Sequence, residues 1–204
     1  MSVAAVILAA GKSERFGSPK ALARWGQRSF AEQIVETARQ AGLAPRVVVL
    51  GHAADQIAGA LRGIAAEMVT NPDYGKGQFS SLRVGLAAVR DRCAGAVVCL
   101  VDQPQVCPED LEAVARMLRD SQASLVVPTV EGRGVHPVGI GSAWFEELLS
   151  LPPTATLRDF FRQHRDAVSR LELQNLLLLR DVDTRKDLFE LKQLAGLETE
   201  QAES

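Results

Sequence analysis

Residues 6–22 read VILAAGKSERFGSPKAL, an apolar run that passes directly into a loop of small and basic residues. The six residues 3–8, VAAVIL, are apolar and partly β-branched, the composition of a strand covered on both faces within a parallel sheet. Beyond Leu8, the residues Ala9, Ala10 and Gly11 have little or no side chain, so backbone N–H groups there can approach an anion or a base edge closely. Arg15 then offers a planar fork of donors and Lys20 a compact charge on a flexible stem, with Pro19 fixing the backbone just before it. A strand, a small-residue loop and two cations at these offsets suit a triphosphate. The plainer alternative is a strand-to-helix turn carrying two solvated basic residues. The loop has neither the GxxxxGK[ST] spacing of a P-loop nor the GxGxxG of a dinucleotide fold.

Working outward, apolar runs alternate with helix-like stretches, the rhythm of a layered α/β sheet. Strands are predicted over 46–50, 67–70, 96–101, 125–127 and 137–140, and helices over 29–41, 55–61, 80–92 and 108–120, the last with Pro108 at its first position. After residue 142 the rhythm loosens. Helices are predicted over 144–149 and 157–164, a late hairpin over 168–173 and 176–179, and a closing helix over 184–194. The pattern implies a single-domain, Rossmann-like three-layer α/β sandwich with a mostly parallel central sheet.

The chain of 204 residues is long enough for one domain with a substantial core, and 47% apolar with 24% charged residues is ordinary for a globular protein. A net charge of −2 gives no global basic field, which argues against nucleic acid as the main partner. No apolar stretch approaches the roughly 20 residues that span a bilayer, and no signal peptide is evident, so a cytoplasmic protein with no membrane partner is expected. Cys93, Cys99 and Cys107 are odd in number and lack CxxC spacing, so they read as reduced thiols. Residues 1–197 form the expected domain and 198–204, ETEQAES, a polar tail that frays.

Ligands of open α/β sheets sit beyond the carboxyl ends of the strands, so the residues just after each strand are the candidates. After the third strand, residues 71–83, NPDYGKGQFSSLR, combine flexible glycines including Gly77, the hydroxyls of Ser80 and Ser81, and Arg83. Ser80 is equally an N-cap for the following helix. Directly after the central strand comes Asp102, in Asp102-Gln103-Pro104, a carboxylate placed to hold Mg²⁺ against phosphate oxygens, or else a helix cap. Asp183 lies in DVDT, residues 181–184, where the alternative is a cap for the last helix. His136, in RGVHP at 133–137, has an imidazole able to donate from either nitrogen, and is otherwise a structural histidine before a strand.

These segments together resemble one family. LAAGxSxRFGxPKAL is similar to the signature of the nucleotidyltransferases that include the molybdenum cofactor cytidylyltransferases and guanylyltransferases, and NxxxxxGxxxSLRxGL, DQP and DxDTxxDL continue the likeness. Arg185 and Lys186 stand where that family more often has Pro-Glu, and Val135 intervenes in its GxxGHPV segment. The resemblance implies a nucleotide site from Leu8, Ala9, Ala10, Gly11, Gly77, Ser80 and Ser81. It also implies Mg²⁺ held by Asp102 and Asp183, and an acceptor side with Arg83 and His136. Arg15, Lys20 and Asp102 become the catalytic set, with Arg15 facing the departing pyrophosphate and Lys20 the α-phosphate. The implied reaction moves CMP from CTP to the terminal phosphate of molybdopterin, for delivery to a receiving molybdoenzyme or its chaperone. Ala10 in LAAG points to CTP, since the guanylyltransferases usually have LAGG. A same-fold enzyme using GTP or another phosphorylated acceptor, or an escort protein for the cofactor, are the alternatives.

Overall fold

The computed structural model describes residues 2–120 and 124–197; the expected polar tail at 198–204 lies outside the described residues. In chain order the strands are β1 (Ala4–Ala9), β2 (Arg24–Trp25), β3 (Arg28–Ser29), β4 (Arg46–Leu50), β5 (Glu67–Thr70), β6 (Gly95–Leu100), β7 (Leu125–Val130), β8 (Arg133–Gly134), β9 (Val138–Gly141) and β10 (Val168–Glu172). The helices are α1 (Phe30–Gln40), α2 (Ala54–Ala60), α3 (Gln78–Val89), α4 (Pro108–Asp120), α5 (Phe145–Ser150), α6 (Leu157–Gln163) and α7 (Arg185–Leu194).

The main sheet runs β10-β7-β9-β6-β1-β4-β5, with β8 paired to β7 and β2-β3 a separate hairpin. Strands β6, β1, β4 and β5 are mutually parallel, and β9 runs antiparallel to both β6 and β7. All six residues of β1 are buried, as its unbroken apolar run requires of a strand covered on both sides. Alternate residues divide between two cores. Ala5, Ile7 and Ala9 meet Ile34 and Ala38 of α1 and Leu111 of α4, while Ala4, Val6 and Leu8 meet Leu82 and Leu86 of α3 and Phe145 of α5. Gly85 lets α3 lie close on the sheet, because a Cβ there would overlap Val6 and come within 3.0 Å of Val49 Cγ2.

Most elements fall where the periodicity predicts them, and the fold class is the one the pattern implies. Two differences are informative. The 176–179 run is not the second strand of a hairpin but a 3-10 turn, Leu176–Leu179, and β10 pairs in parallel with β7. Asn175 Oδ1 accepts Leu177 N–H at 3.2 Å and Leu178 is buried, so four leucines in a row fold into a local turn instead of a sheet edge. Helix α3 starts at Gln78, earlier than expected, because Gly77 at φ 107° occupies the cap position and Ser80 lies inside the first turn.

A candidate nucleotidyl-transfer site

The chain leaves β1 toward β4 on one side and returns to β6 on the other, so the crevice beyond their carboxyl ends is the switch point of the sheet. There a cavity of about 290 Å³ is lined by Leu8, Ala9, Ala10 and Gly11 after β1, by Gly77, Gln78 and Ser81 at the start of α3, and by Lys20 and Asp102. A shallower cavity beside it is lined by Arg15, Lys20 and Asp183. The expected nucleotide loop, both expected cations and both expected carboxylates therefore converge, although Asp183 is far along the chain from the rest.

Ser13 shapes the loop. Its φ of 54° turns the chain, its carbonyl accepts Phe16 N–H at 3.0 Å and Gly17 N–H at 3.2 Å, and its hydroxyl accepts Lys20 N–H at 3.2 Å. Phe16 is buried against Val182, Leu188 and Leu191, which ties the loop to α7. Lys20, with a side chain 10% exposed, points its ammonium between two carboxylates: Nζ donates to Asp102 Oδ2 at 3.1 Å and to Asp183 Oδ1 at 2.9 Å. The Arg15 guanidinium, far more exposed, meets Asp183 Oδ2 at 2.9 Å. Two anions and two cations balance at the cavity mouth.

The capping alternatives for both carboxylates are answered by their neighbours. Thr184 and Asp187 form a capping box at the start of α7, and the bonds from Thr184 and the Asp183 N–H hold the Asp187 carboxyl below its ordinary range. At the α4 start Asp110 Oδ2 accepts Cys107 N–H at 3.0 Å. Asp102 and Asp183 are left facing the cavity. Both reach one ammonium nitrogen at ordinary bond lengths, so a single cation can touch both, and their hard oxygen donors suit Mg²⁺ or Mn²⁺. Among the described residues no group of three or more acidic, His or Cys side chains gathers, so a bound ion would complete its shell from water and phosphate, as Mg²⁺ commonly does.

The remaining expected residues lie apart from this centre to different degrees. Ser80 is buried behind the cavity, accepting Asn71 Nδ2 at 2.8 Å and donating to Gly77 O at 2.7 Å, so it braces the loop, while Ser81 lines the cavity. His136 stands in an adjoining cavity of about 220 Å³ with Leu8, Gly77 and Gln78, and continues into a groove of about 690 Å³ flanked by Arg158, Arg162, Arg165 and Arg170. Burial pushes the His136 imidazole below its ordinary 6.5, against the raising influence of the Val98 carbonyl, Asp102 and Asp181. Arg83 is not brought beside His136; it donates to Leu149 O at 2.9 Å and lines a separate cavity with Ser80 and Asn71.

Sequence reasoning missed Ser13, Tyr74, Gln78 and Gly51. Gly51 follows β4, and a Cβ there would sit 2.6 Å from Tyr74 Cβ and 2.8 Å from Ala10 Cβ, so the loop after β1 rests on its bare backbone. The only local signal was a glycine at the carboxyl end of a strand.

Residues 5–168 match the family described as "MobA-like NTP transferase domain", a span that contains Arg15, Lys20, Asp102 and His136 and stops short of Asp183. The chain is 32% identical over 200 residues to the nicotine blue oxidoreductase of Paenarthrobacter nicotinovorans, covering 93% of this chain and 96% of that one. It is 37% identical over 123 residues to a bifunctional IPC transferase and DIPP synthase of Rubrobacter xylanophilus, but that match covers 57% of this chain and spans only 27% of the relative's length. A probable molybdenum cofactor guanylyltransferase of Bacillus cytotoxicus is 28% identical over 65% of this chain and 64% of its own. Among solved structures, Rv0371c of Mycobacterium tuberculosis H37Rv superposes with a TM-score of 0.80 at 30% identity, covering 95% of this chain and 99% of that one. A structure of the same protein in complex with manganese gives 0.77 at 28% identity over the same shares.

Proposed function

This chain belongs to the family of MobA-like NTP transferase domains, and from that premise we propose that it transfers CMP from CTP to the terminal phosphate of molybdopterin. Carrying the proposal is one observation: the Lys20 ammonium lies between the Asp102 and Asp183 carboxylates at the mouth of a cavity walled by the backbone of residues 8–11. An acceptor phosphate oxygen attacks the α-phosphorus in line, the bond to the β-phosphate bridging oxygen breaks, and pyrophosphate leaves with the electron pair. The acceptor is already anionic, so no protein nucleophile is required.

Each residue has a place in that event. The N–H groups about Ala10 and Gly11 cradle the phosphate chain, Lys20 turns to the α-phosphate, and Arg15, exposed at the rim, covers charge on the departing pyrophosphate. Asp102 and Asp183 would hold Mg²⁺, which supplies neutralisation of phosphate charge when bound. Most of the rate comes from positioning and electrostatics. The acceptor enters from the His136 side. His136, its proton affinity depressed by burial, is neutral at pH 7 and donates a hydrogen bond, while the arginine-flanked groove beyond suits an anionic body. The free thiols of Cys93, Cys99 and Cys107 fit a reducing compartment such as the cytoplasm.

CTP rather than GTP rests on the resemblance: Ala10 in LAAG is the form of the cytidylyltransferases, where the guanylyltransferases usually have LAGG, and its methyl lies against the Gly51 backbone. The guanylyltransferase relative is the observation that favours GTP instead. Among the described residues no helix is long and apolar enough to cross a membrane. The deciding experiment is pyrophosphate release with Mg²⁺ and molybdenum-loaded molybdopterin, with CTP, GTP, ATP and UTP in parallel. Selective release with CTP is expected. Release with GTP keeps the mechanism and reverses the base assignment; silence with every nucleotide refutes the transfer reading and favours an escort role or a different acceptor.

A further inference from the structure

The two carboxylates that flank Lys20 come from segments that meet only in the folded chain: Asp102 from the loop after β6, Asp183 from the arm between β10 and α7. Whatever sets the distance between them sets the cation site. The loop after β6 reaches the arm through three side-chain amides. Gln103 Nε2 donates to Asp181 Oδ1 at 3.2 Å. Gln105 Nε2 donates to the carbonyls of Leu177 at 3.2 Å and Arg180 at 2.8 Å. Asn175 Nδ2 returns from the arm to Gln105 O at 3.2 Å and to Asp110 Oδ2 at 2.7 Å. Gln103, Gln105 and Asp110 are 5%, 6% and 4% exposed, so the loop side of these bonds is buried although the arm side, with Arg180 and Asp181, faces solvent. The Gln105 Oε1 is buried without a partner among the described residues, while its Nε2 makes both bonds to the arm.

We propose that Gln103, Gln105 and Asn175, anchored on Asp110, are positioning residues that clamp the Asp183 arm against the Asp102 loop and so fix the spacing of the two carboxylates. The proposal rests on the reading that Asp102 and Asp183 hold a divalent cation. Asp110 is the fixed point: it starts α4 by accepting Cys107 N–H, accepts the Cys107 thiol at 3.0 Å, and takes the Asn175 amide. Burial and the neighbouring Asp110 carboxylate push that thiol up to about 12, so it stays protonated and serves as a donor. From the clamp the arm has only Val182, fully buried, before Asp183, and Asp183 N–H is itself held by Asp187. The amides that grip Leu177, Arg180 and Asp181 therefore act two to six residues from the carboxylate they place.

The test is Mn²⁺ binding to the whole protein without nucleotide, followed by the loss of the free-ion paramagnetic signal, beside thermal unfolding. Gln105→Met and Gln103→Leu remove the donors at similar volume. Leu148→Ala, on α5 in the core shared with α3, serves as the control for lost stability. Each clamp variant is expected to raise the Mn²⁺ dissociation constant by roughly 10- to 100-fold, the usual penalty for losing a group that orients a metal ligand, while the control leaves it unchanged. Clamp variants that melt earlier but bind Mn²⁺ as the control does would make the network merely structural and overturn the proposal. Asp183→Asn separates the two layers of inference. If it weakens binding and Gln105→Met does not, the clamp fails alone; if Asp183→Asn binds unchanged, or the unaltered protein shows no saturable binding, the metal reading fails and the clamp with it.

Discussion

Replacing Lys20 by methionine keeps most of the side-chain volume and removes the one charge that touches both acidic groups. Each ion pair, at 2.9 and 3.1 Å, has a gross attraction of about 5 kcal/mol at an effective dielectric of about 20. Desolvation cancels most of that, and with Asp102 and Asp183 about a third exposed the net cost falls between that of surface and buried pairs, about 2 kcal/mol. For a chain of this size the melting temperature should drop by about 4–8 °C. A protein stable by about 5–15 kcal/mol stays almost wholly folded after such a loss, so stability alone predicts nearly full activity at about 25 °C. Loss of a preorganised cation at the α-phosphate instead predicts a kcat lowered by about 10²- to 10³-fold. Pyrophosphate release and circular-dichroism melts on the same preparations separate the two. A kcat within about threefold of the unaltered protein, or activity lost only in step with unfolding, would refute the placement of Lys20 on the reacting phosphate.

Three further outcomes follow from the geometry. Gly51→Ala drives a methyl into Tyr74 and Ala10, so we expect about 1–3 kcal/mol of destabilisation and a raised KM for the nucleotide; a normal KM would show that the loop does not depend on that contact. Ala10→Gly removes the methyl beside Gly51 and should shift the ratio of kcat/KM for CTP and GTP toward GTP, with an unchanged ratio rejecting Ala10 as a selector. His136 is held below 6.5 in the fold, so the unfolded chain binds its proton first as pH falls, and stability contributed above 6.5 is lost on descending toward the native value. Urea unfolding between about pH 7.5 and about pH 5.5 should show this slope, at most about 1.4 kcal/mol per pH unit from one group, and His136→Asn should remove it.

How much of this was legible in the sequence depends on whether a residue's surroundings come from its own segment. The strand into residues 9–11, the cations at Arg15 and Lys20, and the carboxylate after β6 are local features, each written in a few consecutive residues, and the fold brings them together at the switch point. Ser80 was legible only as chemistry: its hydroxyl was noticed, but a glycine at φ 107° took the cap and turned that hydroxyl inward to Asn71. Four consecutive leucines read as a strand because apolar runs carry no period of their own; Asn175 decides the matter by bonding Leu177 N–H and curling the chain.

Arg83 shows the same limit from the other direction. Its position, two residues after Ser81 on a helix, placed it near the site, yet residues two apart on a helix do not share a face, and Arg83 turns away to Leu149 while Ser81 faces the cavity. Gln103 and Gln105 were least legible of all, because their partners, the Asp181 carboxylate and the Leu177 and Arg180 carbonyls, lie more than seventy residues downstream. A glutamine among apolar residues signals nothing until the partner that satisfies it is known. The candidate site's side chains are thus encoded in short segments, whereas the proposed control of their spacing lies in side-chain amides that only the folded chain pairs. For that reason the Gln105→Met measurement bears on the part of the mechanism that sequence comparison reaches least.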